Sequence, residues 1–273
     1  MEIEGISKRR NYAKQALYQN SPNELKIVDQ MATLLTRLNG QQQACLTAFL
    51  NPGQRAILRL LAGDEVAIHE FGGYPQAEKK RVWFSGSESN PALADYQLAV
   101  CQLDYPVKFA QLTHGAILGS LANLGVETDT FGDIITDGAG QWQFLVKADL
   151  TAFFQAEVTR VGKTQVRLRS VPLQAVLKPV DDSITISIVV ASLRLDAVLA
   201  GLSKSSRTQI KAAISDNLVK LNWHSVQDSN IIVKVDDVLS LRHFGRSQIR
   251  NIKSTKKGKY KVVLKLWQTK KHK

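Results

Sequence analysis

Apolar positions in the first quarter of the chain recur mostly at helical spacing. Ser21-Pro22-Asn23-Glu24 is a capping box with proline at the first helical position, and it predicts a helix through about Leu38 that Asn39-Gly40 closes. A second helix is expected around Gln42–Leu50, stopped by Asn51-Pro52. A third runs from Pro52 to about Ala62, with Gly63 beyond its end. The pattern then changes: Glu65–Phe71 alternates, Gly72-Gly73-Tyr74-Pro75 is a turn, and Arg81–Phe84 reads as a strand.

The middle of the chain alternates between the two periods. Tyr96–Leu103 is a strand, and Thr113–Leu124 is an apolar helix capped by Thr113 and stopped by Gly125. Asp133–Thr136 and Trp142–Val146 pair across a turn at Asp137-Gly138. Asp149–Ala156 is a helix and Gln165–Ser170 a last strand. The order β-α-β-β-α-β is ferredoxin-like or RRM-like, an arrangement that serves many functions. The aromatic signature of a base-stacking sheet is missing, so an RNA-facing sheet and a purely structural one both stay open.

Pro172–Asp182 reads as a connection, with breaks at Lys178-Pro179 and Asp181-Asp182. Beyond it, Arg194–Ala200 gives a short amphipathic helix and Ser203–Arg207 a turn and a new helix start, with Ser205 or Ser206 as cap. The new helix turns Ile210, Ala213 and Ile214 inward and Arg207, Gln209 and Lys211 outward, and Asn217 ends it. Strands follow at Leu218–Asn222, Ile231–Val235 and Val238–Arg242, with turns at Trp223-His224 and Asp236-Asp237. The elements predict an α+β multidomain chain: a mostly helical region over 1–75, an RRM-like domain over 76–180 and a small helix-pair-and-sheet module over 181–273.

Charge separates these parts. Of a net +12 over 273 residues, residues 181–273 hold 18 Lys/Arg against 7 Asp/Glu, while the first 180 are nearly balanced. A local basic field of that size attracts a polyanion such as nucleic acid. The apolar content of 44% and charged content of 22% are those of a globular chain. Two cysteines far apart, Cys45 and Cys101, point to neither a disulfide scaffold nor a thiolate metal site, and fit a reducing bacterial cytoplasm. The run Phe109–Val126 is interrupted by Gln111, His114, Ser120 and Asn123, which suits a packed helix and not a membrane span.

The module after residue 181 resembles the S-four (alpha-L) RNA-binding domain. The resemblance is carried by Arg194-Leu195-Asp196, Ser205-Ser206-Arg207, Asn217 through Asn222, and Asp237 through Leu241. Asn217 and Trp223 stand where that domain usually has glycine. The helix start at Ser205-Ser206 offers unpaired N–H groups and a positive dipole end to phosphate. The candidate RNA-binding residues are Arg194, Lys204, Ser205, Ser206, Arg207, Gln209, Lys211, Lys220, Asn222, Arg242 and Arg246. Lys79, Lys80 and Arg81, a dense basic run, form a candidate second contact. The tail, Lys253 through Lys261 and Lys270–Lys273, reads as a flexible or hairpin phosphate-tracking arm.

Over nearly its whole length the chain resembles the YlmH-type RNA-binding proteins of Gram-positive bacteria. The segments that carry this are Leu46–Pro52, Phe71–Arg81, Tyr105–Phe109, His114, Leu118-Gly119 and Phe131–Ile134. The resemblance implies binding to rRNA of the large ribosomal subunit, with tRNA, in the quality control of stalled translation. It also carries a cell-division label from gene neighbourhoods. Catalysis is not expected. An Arg-Leu-Asp with a nucleophilic aspartate serves pseudouridine synthases, but in them it lies in a large catalytic domain, whereas here it opens the binding module itself. His69, His114, His224 and His243 are isolated in sequence, and no nucleophile-base or paired-carboxylate spacing stands out. The expectation is a monomeric, non-enzymatic binder with no cofactor, metal, membrane or small-molecule substrate. An RNA-modifying enzyme and a cell-division interaction factor are the alternatives.

Overall fold

The computed structural model describes residues 4–17, 22–41, 44–64, 66–85, 90–181 and 183–268. The expected cap at Ser21, the helix start at Gln42, Glu65, Asp182 and the terminal Lys270–Lys273 lie outside them. Contacts divide the chain into two compact units. One joins the residues up to Arg9 with Met31–Val180; the other joins Arg10–Gln30 with the residues from Asp181 on. Residues 1–75 are thus shared between both. Side-chain contacts follow this division. Arg9 donates from Nε to the Leu61 carbonyl at 2.8 Å, whereas Arg10 and Lys14 both bind the Asp29 carboxylate.

The helices α1 (Glu4–Tyr12) and α2 (Pro22–Gln41) open the chain, and α2 runs on past Asn39-Gly40. The first unit then builds β1 (Cys45–Leu50), α3 (Pro52–Ala62), β2 (Ala67–Phe71) and β3 (Lys80–Ser85), with the strands in the antiparallel order β1-β3-β2. A helix was expected where β1 lies. A six-residue apolar run carries no decisive period, and Thr47 and Phe49 favour the pleated state. The Thr47 hydroxyl oxygen accepts from the Val82 amide at 2.9 Å, and Phe49 is buried. Asn51 caps α3 in a reciprocal box with Gln54, the form that Asn-Pro at the helix start announces.

The middle fold is as its periods predict. It comprises β4 (Leu98–Asp104), α4 (His114–Ala122), β5 (Phe131–Thr136), β6 (Trp142–Lys147), α5 (Thr151–Glu157), a small hairpin of β7 (Arg160–Val161) and β8 (Thr164–Gln165), and β9 (Arg167–Val171). The sheet order β5-β6-β4-β9 is antiparallel throughout. One face packs on α4 and α5 through Ile117, Leu121, Phe144 and Phe154. The other face is covered as well. Val100, Ile135, Leu145 and Val171 are buried there beneath Phe49, Tyr74, Leu173 and Leu177. Gln143, buried on the same side, fixes the covering segment by donating to the Ala175 carbonyl at 3.0 Å and accepting from the Leu177 amide at 2.8 Å. The face an RRM would offer to RNA is therefore interior.

The second unit contains β10 (Ile184–Val190), α6 (Leu195–Ser203), α7 (Arg207–Ser215), β11 (Val219–Leu221), β12 (His224–Ser225), β13 (Val238–Leu241), β14 (Gly245–Ser254) and β15 (Tyr260–Gln268). Its six-stranded sheet has the order β10-β15-β14-β13-β11-β12. Residues 231–235 do not form the expected strand; only Ile232 makes an isolated bridge, to Arg194. Of the two forms expected for the basic arm, the hairpin is the one present, as β14 and β15. Within this unit Glu24 of α2 is buried and accepts from the Ser225 amide at 3.0 Å, a contact across 201 residues of sequence.

Candidate nucleic-acid interface

The two short helices meet at their starts, and one buried carboxylate holds them. Leu195, Val198, Leu199 and Leu202 line the inward stripe of α6, and Lys204 ends it in the left-handed region at φ 56°. The cap of α7 is Ser206: its hydroxyl accepts from the Gln209 amide at 3.2 Å, and Gln209 Oε1 accepts from the Ser206 amide at 2.9 Å. Asp196, fully buried, receives Arg194 on both oxygens at 3.1 Å and Arg207 Nη2 at 2.8 Å. Burial by itself raises the pKa of that carboxyl, but the hydrogen bonds and charges of Arg194 and Arg207 outweigh it and hold Asp196 below its ordinary value.

This arrangement sorts the predicted residues by what their side chains are doing. Lys204, Arg207 and Lys211 are exposed along the start of α7, with Ser205 half-buried beside them. Arg194 is spent mainly on Asp196, and Arg207 divides itself between Asp196 and solvent. Three expected contacts change role. Asn222 is not a surface donor, because its amide bonds Asp237 at 2.9 Å and its oxygen accepts from the Val238 amide at 2.8 Å. Ser206 and Gln209 satisfy each other across the cap. Asn217 sits at φ 56°, doing what glycine usually does at that point.

Asn222 and Trp223 both have positive φ, 51° and 69°, so the β11–β12 connection is a two-residue turn of the mirror-image type I′. A tryptophan there is strained. Its ring is met by the Arg246 guanidinium, 5.6 Å from the ring centroid. Lys220 and Arg246 project from the face of the sheet that the helices leave uncovered, and exposed Arg242 lies in the turn after β13. The cations therefore form two surfaces, the α7 start and the open sheet face.

Two of the three residues of the candidate second contact are engaged within the fold. Arg81 is buried, and its guanidinium donates to the carbonyls of Thr47, Tyr96 and Gln97 at 2.8, 3.0 and 2.9 Å. Lys79 donates to the carbonyls of Thr128 and Phe131 at 2.7 and 3.1 Å and lies over the Phe131 ring; burial lowers its pKa against the pull of Asp133. Lys80 is half-buried on β3. The family-like segments of this unit converge on one place. Asp133 accepts from the Tyr74 hydroxyl and the Glu78 and Lys79 amides at 2.7, 2.7 and 3.0 Å. A Cβ on the adjacent Gly132 would stand 2.7 Å from the Phe49 ring. Burial raises the pKa of Asp133, and those three donors oppose the rise.

Among the described residues, no cluster of His, Cys, Asp or Glu could hold a metal ion. Nor is any described helix long and apolar enough to cross a membrane.

Comparison with known proteins matches both units of the chain. Residues 91–175 match the family described as "Putative RNA-binding domain in YlmH", and residues 193–239 match the S4 domain. The chain is similar to the ribosome-associated protein quality control protein P2 of Bacillus subtilis, 34% identical over 243 residues that span 88% of this chain and 94% of that protein. It is also similar to a solved structure, the cell division protein YlmH from Streptococcus pneumoniae, at 28% identity and a TM-score of 0.49, covering 56% of this chain and 94% of that one. The buried Asp196 clamp, the capped α7 start and the packed middle sheet are thus features of a protein that belongs to the YlmH family.

Proposed function

We propose that this protein is a non-enzymatic, monomeric cytoplasmic factor that binds structured RNA on the ribosome. Its targets in this reading are rRNA of the large subunit together with tRNA, in the quality control of stalled translation. The observation that carries the reading is the α7 start. There Lys204, Arg207 and Lys211 stand exposed around a helix N-terminus, and Asp196 keeps the two helices in register beneath them. Such a surface grips phosphates and reads backbone shape, which suits folded RNA. The name of the Bacillus subtilis relative supports a ribosomal setting. Asp196 supports the non-enzymatic part, since both its oxygens are engaged by arginines and it has no exposed surface.

The test is co-sedimentation with large ribosomal subunits. Lys204→Glu with Lys211→Glu is the suitable pair, since neither cation belongs to the Asp196 clamp. Release of the double variant from the subunit at moderate salt is the expected result. Unchanged co-sedimentation would reject the assigned surface. A nucleoside-modification profile altered by deleting the gene would favour the modifying-enzyme alternative.

A further inference from the structure

The six-stranded sheet of the second unit packs on α6 and α7 with one face. Val219, Leu239, Ile249, Val262, Leu264 and Leu266 enter the core with α6 and α7. Their sequence neighbours point the other way, and cross-strand partners share a face. Lys220, Ser240, Arg246 and Trp267 therefore form one row across β11, β13, β14 and β15. At the far end of the same face Lys253 stands directly opposite Lys261. None of these positions is acidic; Asp181, at the rim, pairs with Lys265.

Two features of this face point to an anionic, aromatic ligand. Like charges directly opposite each other destabilise a strand pair, so Lys253 facing Lys261 costs stability that a bound anion would offset. The indoles are also laid out with cations on their rings: Arg246 over Trp223 at 5.6 Å, and Lys265 over Trp267 at 5.0 Å. Ring faces beside cations on a flat surface match the parts of an unpaired nucleotide, a base to stack and a phosphate to neutralise. Bases in a duplex are already stacked on each other and offer no such face.

We propose that this open sheet face is a second RNA surface, which stacks unpaired nucleotides on Trp267 and Trp223 while Arg246, Lys253 and Lys261 hold their phosphates. The proposal rests on the RNA-binding reading above but concerns a different face, largely outside the matched residues 193–239. It gives the chain two ligand forms at once: folded RNA at the α7 start, and a single-stranded segment on the sheet.

The experiment titrates the full-length protein with a short oligouridylate and, separately, with a fully paired RNA hairpin, following tryptophan emission and anisotropy. Wild type is expected to bind both, with emission quenched by the oligouridylate. Trp267→Leu should weaken oligouridylate binding about tenfold, with hairpin affinity unchanged. Lys253→Glu should weaken it as well while the melting temperature holds or rises, because the like-charged pair becomes an opposite one; this variant carries the test if Trp267→Leu does not fold. Wild type that ignores oligouridylate, or folded variants that bind it as wild type does, would overturn the proposal. Lys204→Glu with Lys211→Glu should lose the hairpin alone. If that pair keeps the hairpin, the α7 assignment fails and the sheet face stands or falls by its own arms.

Discussion

The two larger sheets of this protein treat their faces differently. The four-stranded sheet of the first unit is buried on both sides, by α4 and α5 on one and by Phe49, Tyr74 and the Leu173–Leu177 segment on the other. The six-stranded sheet of the second unit is buried on one side and bears cations and indoles on its other. Charge follows the same division. In the first unit the cations of the basic run turn inward to carbonyl oxygens, as Lys79 and Arg81 do. In the second, Asp196, Asp237 and Glu24 are the charged residues that turn inward, and most cations are left outside. A basic run in sequence is therefore not a basic surface. What decides is whether buried carbonyls lie within reach of the side chain, since a charged donor is buried only where acceptors satisfy it.

The largest effect expected from breaking this contrast is at Arg81. Arg81→Met leaves three buried carbonyls without their donor, and should cost about 4 kcal/mol in a denaturant melt. RNA affinity, measured where the variant is still folded, should not change. A small stability loss with a large affinity loss would return Arg81 to the RNA interface.

Next in size is Asp196→Asn, which removes the charge between two arginines and should cost about 2 kcal/mol, reduced from the full buried-pair penalty because Arg207 is half-exposed. The sign of its pH dependence is fixed by the lowered pKa. The Asp196 pairing contributes fully above the ordinary carboxylate value of about 4 and is lost as pH falls through the lower folded value. Acid melts of the wild type should show this loss, and the Asn variant should lack it.

A smaller effect is expected at His224. Burial, with the nearby charge of Lys220, lowers its pKa against the pull of Glu24. A lowered histidine favours the folded state above the unfolded value of about 6.5, so stability should decline as pH drops below it. His224→Gln should flatten that part of the stability profile.

The smallest effect is at Trp223→Gly. Glycine relieves the positive φ of the turn, a gain of about 1 kcal/mol, and loses the stack with Arg246, a similar amount. The melting temperature should barely move, while oligouridylate binding weakens. A drop of many degrees would mean that Trp223 serves the fold and not a ligand.

How much of this was readable in the sequence depended on how local each cause is. The middle β-α-β-β-α-β order and the α7 start were legible because strand alternation, the Asp137-Gly138 turn and the Thr113 and Ser206 caps are short-range signals. β1 was missed because a six-residue run with five apolar positions shows no clear period and its partner β3 lies about 35 positions on. The inward turn of Lys79 and Arg81 was invisible for a related reason, since their acceptors belong to strands and loops far along the chain. Glu24 against Ser225 is the extreme case. The open face of the second sheet was half legible: the lysines after 253 were seen, but only the pairing of Lys253 with Lys261 and of Arg246 with Trp267 shows that they share a face.

The central claim is that outward cations of the second unit, and not the basic run of the first, hold RNA. The salt dependence of binding of a structured rRNA fragment tests it most directly, because each phosphate contact contributes about 0.7 to 0.9 to the slope of log K against log salt. Lys204→Glu with Lys211→Glu should reduce that slope by about 1.5, and Lys80→Glu should leave it unchanged. A slope that falls for Lys80→Glu and holds for the α7 pair would contradict the account.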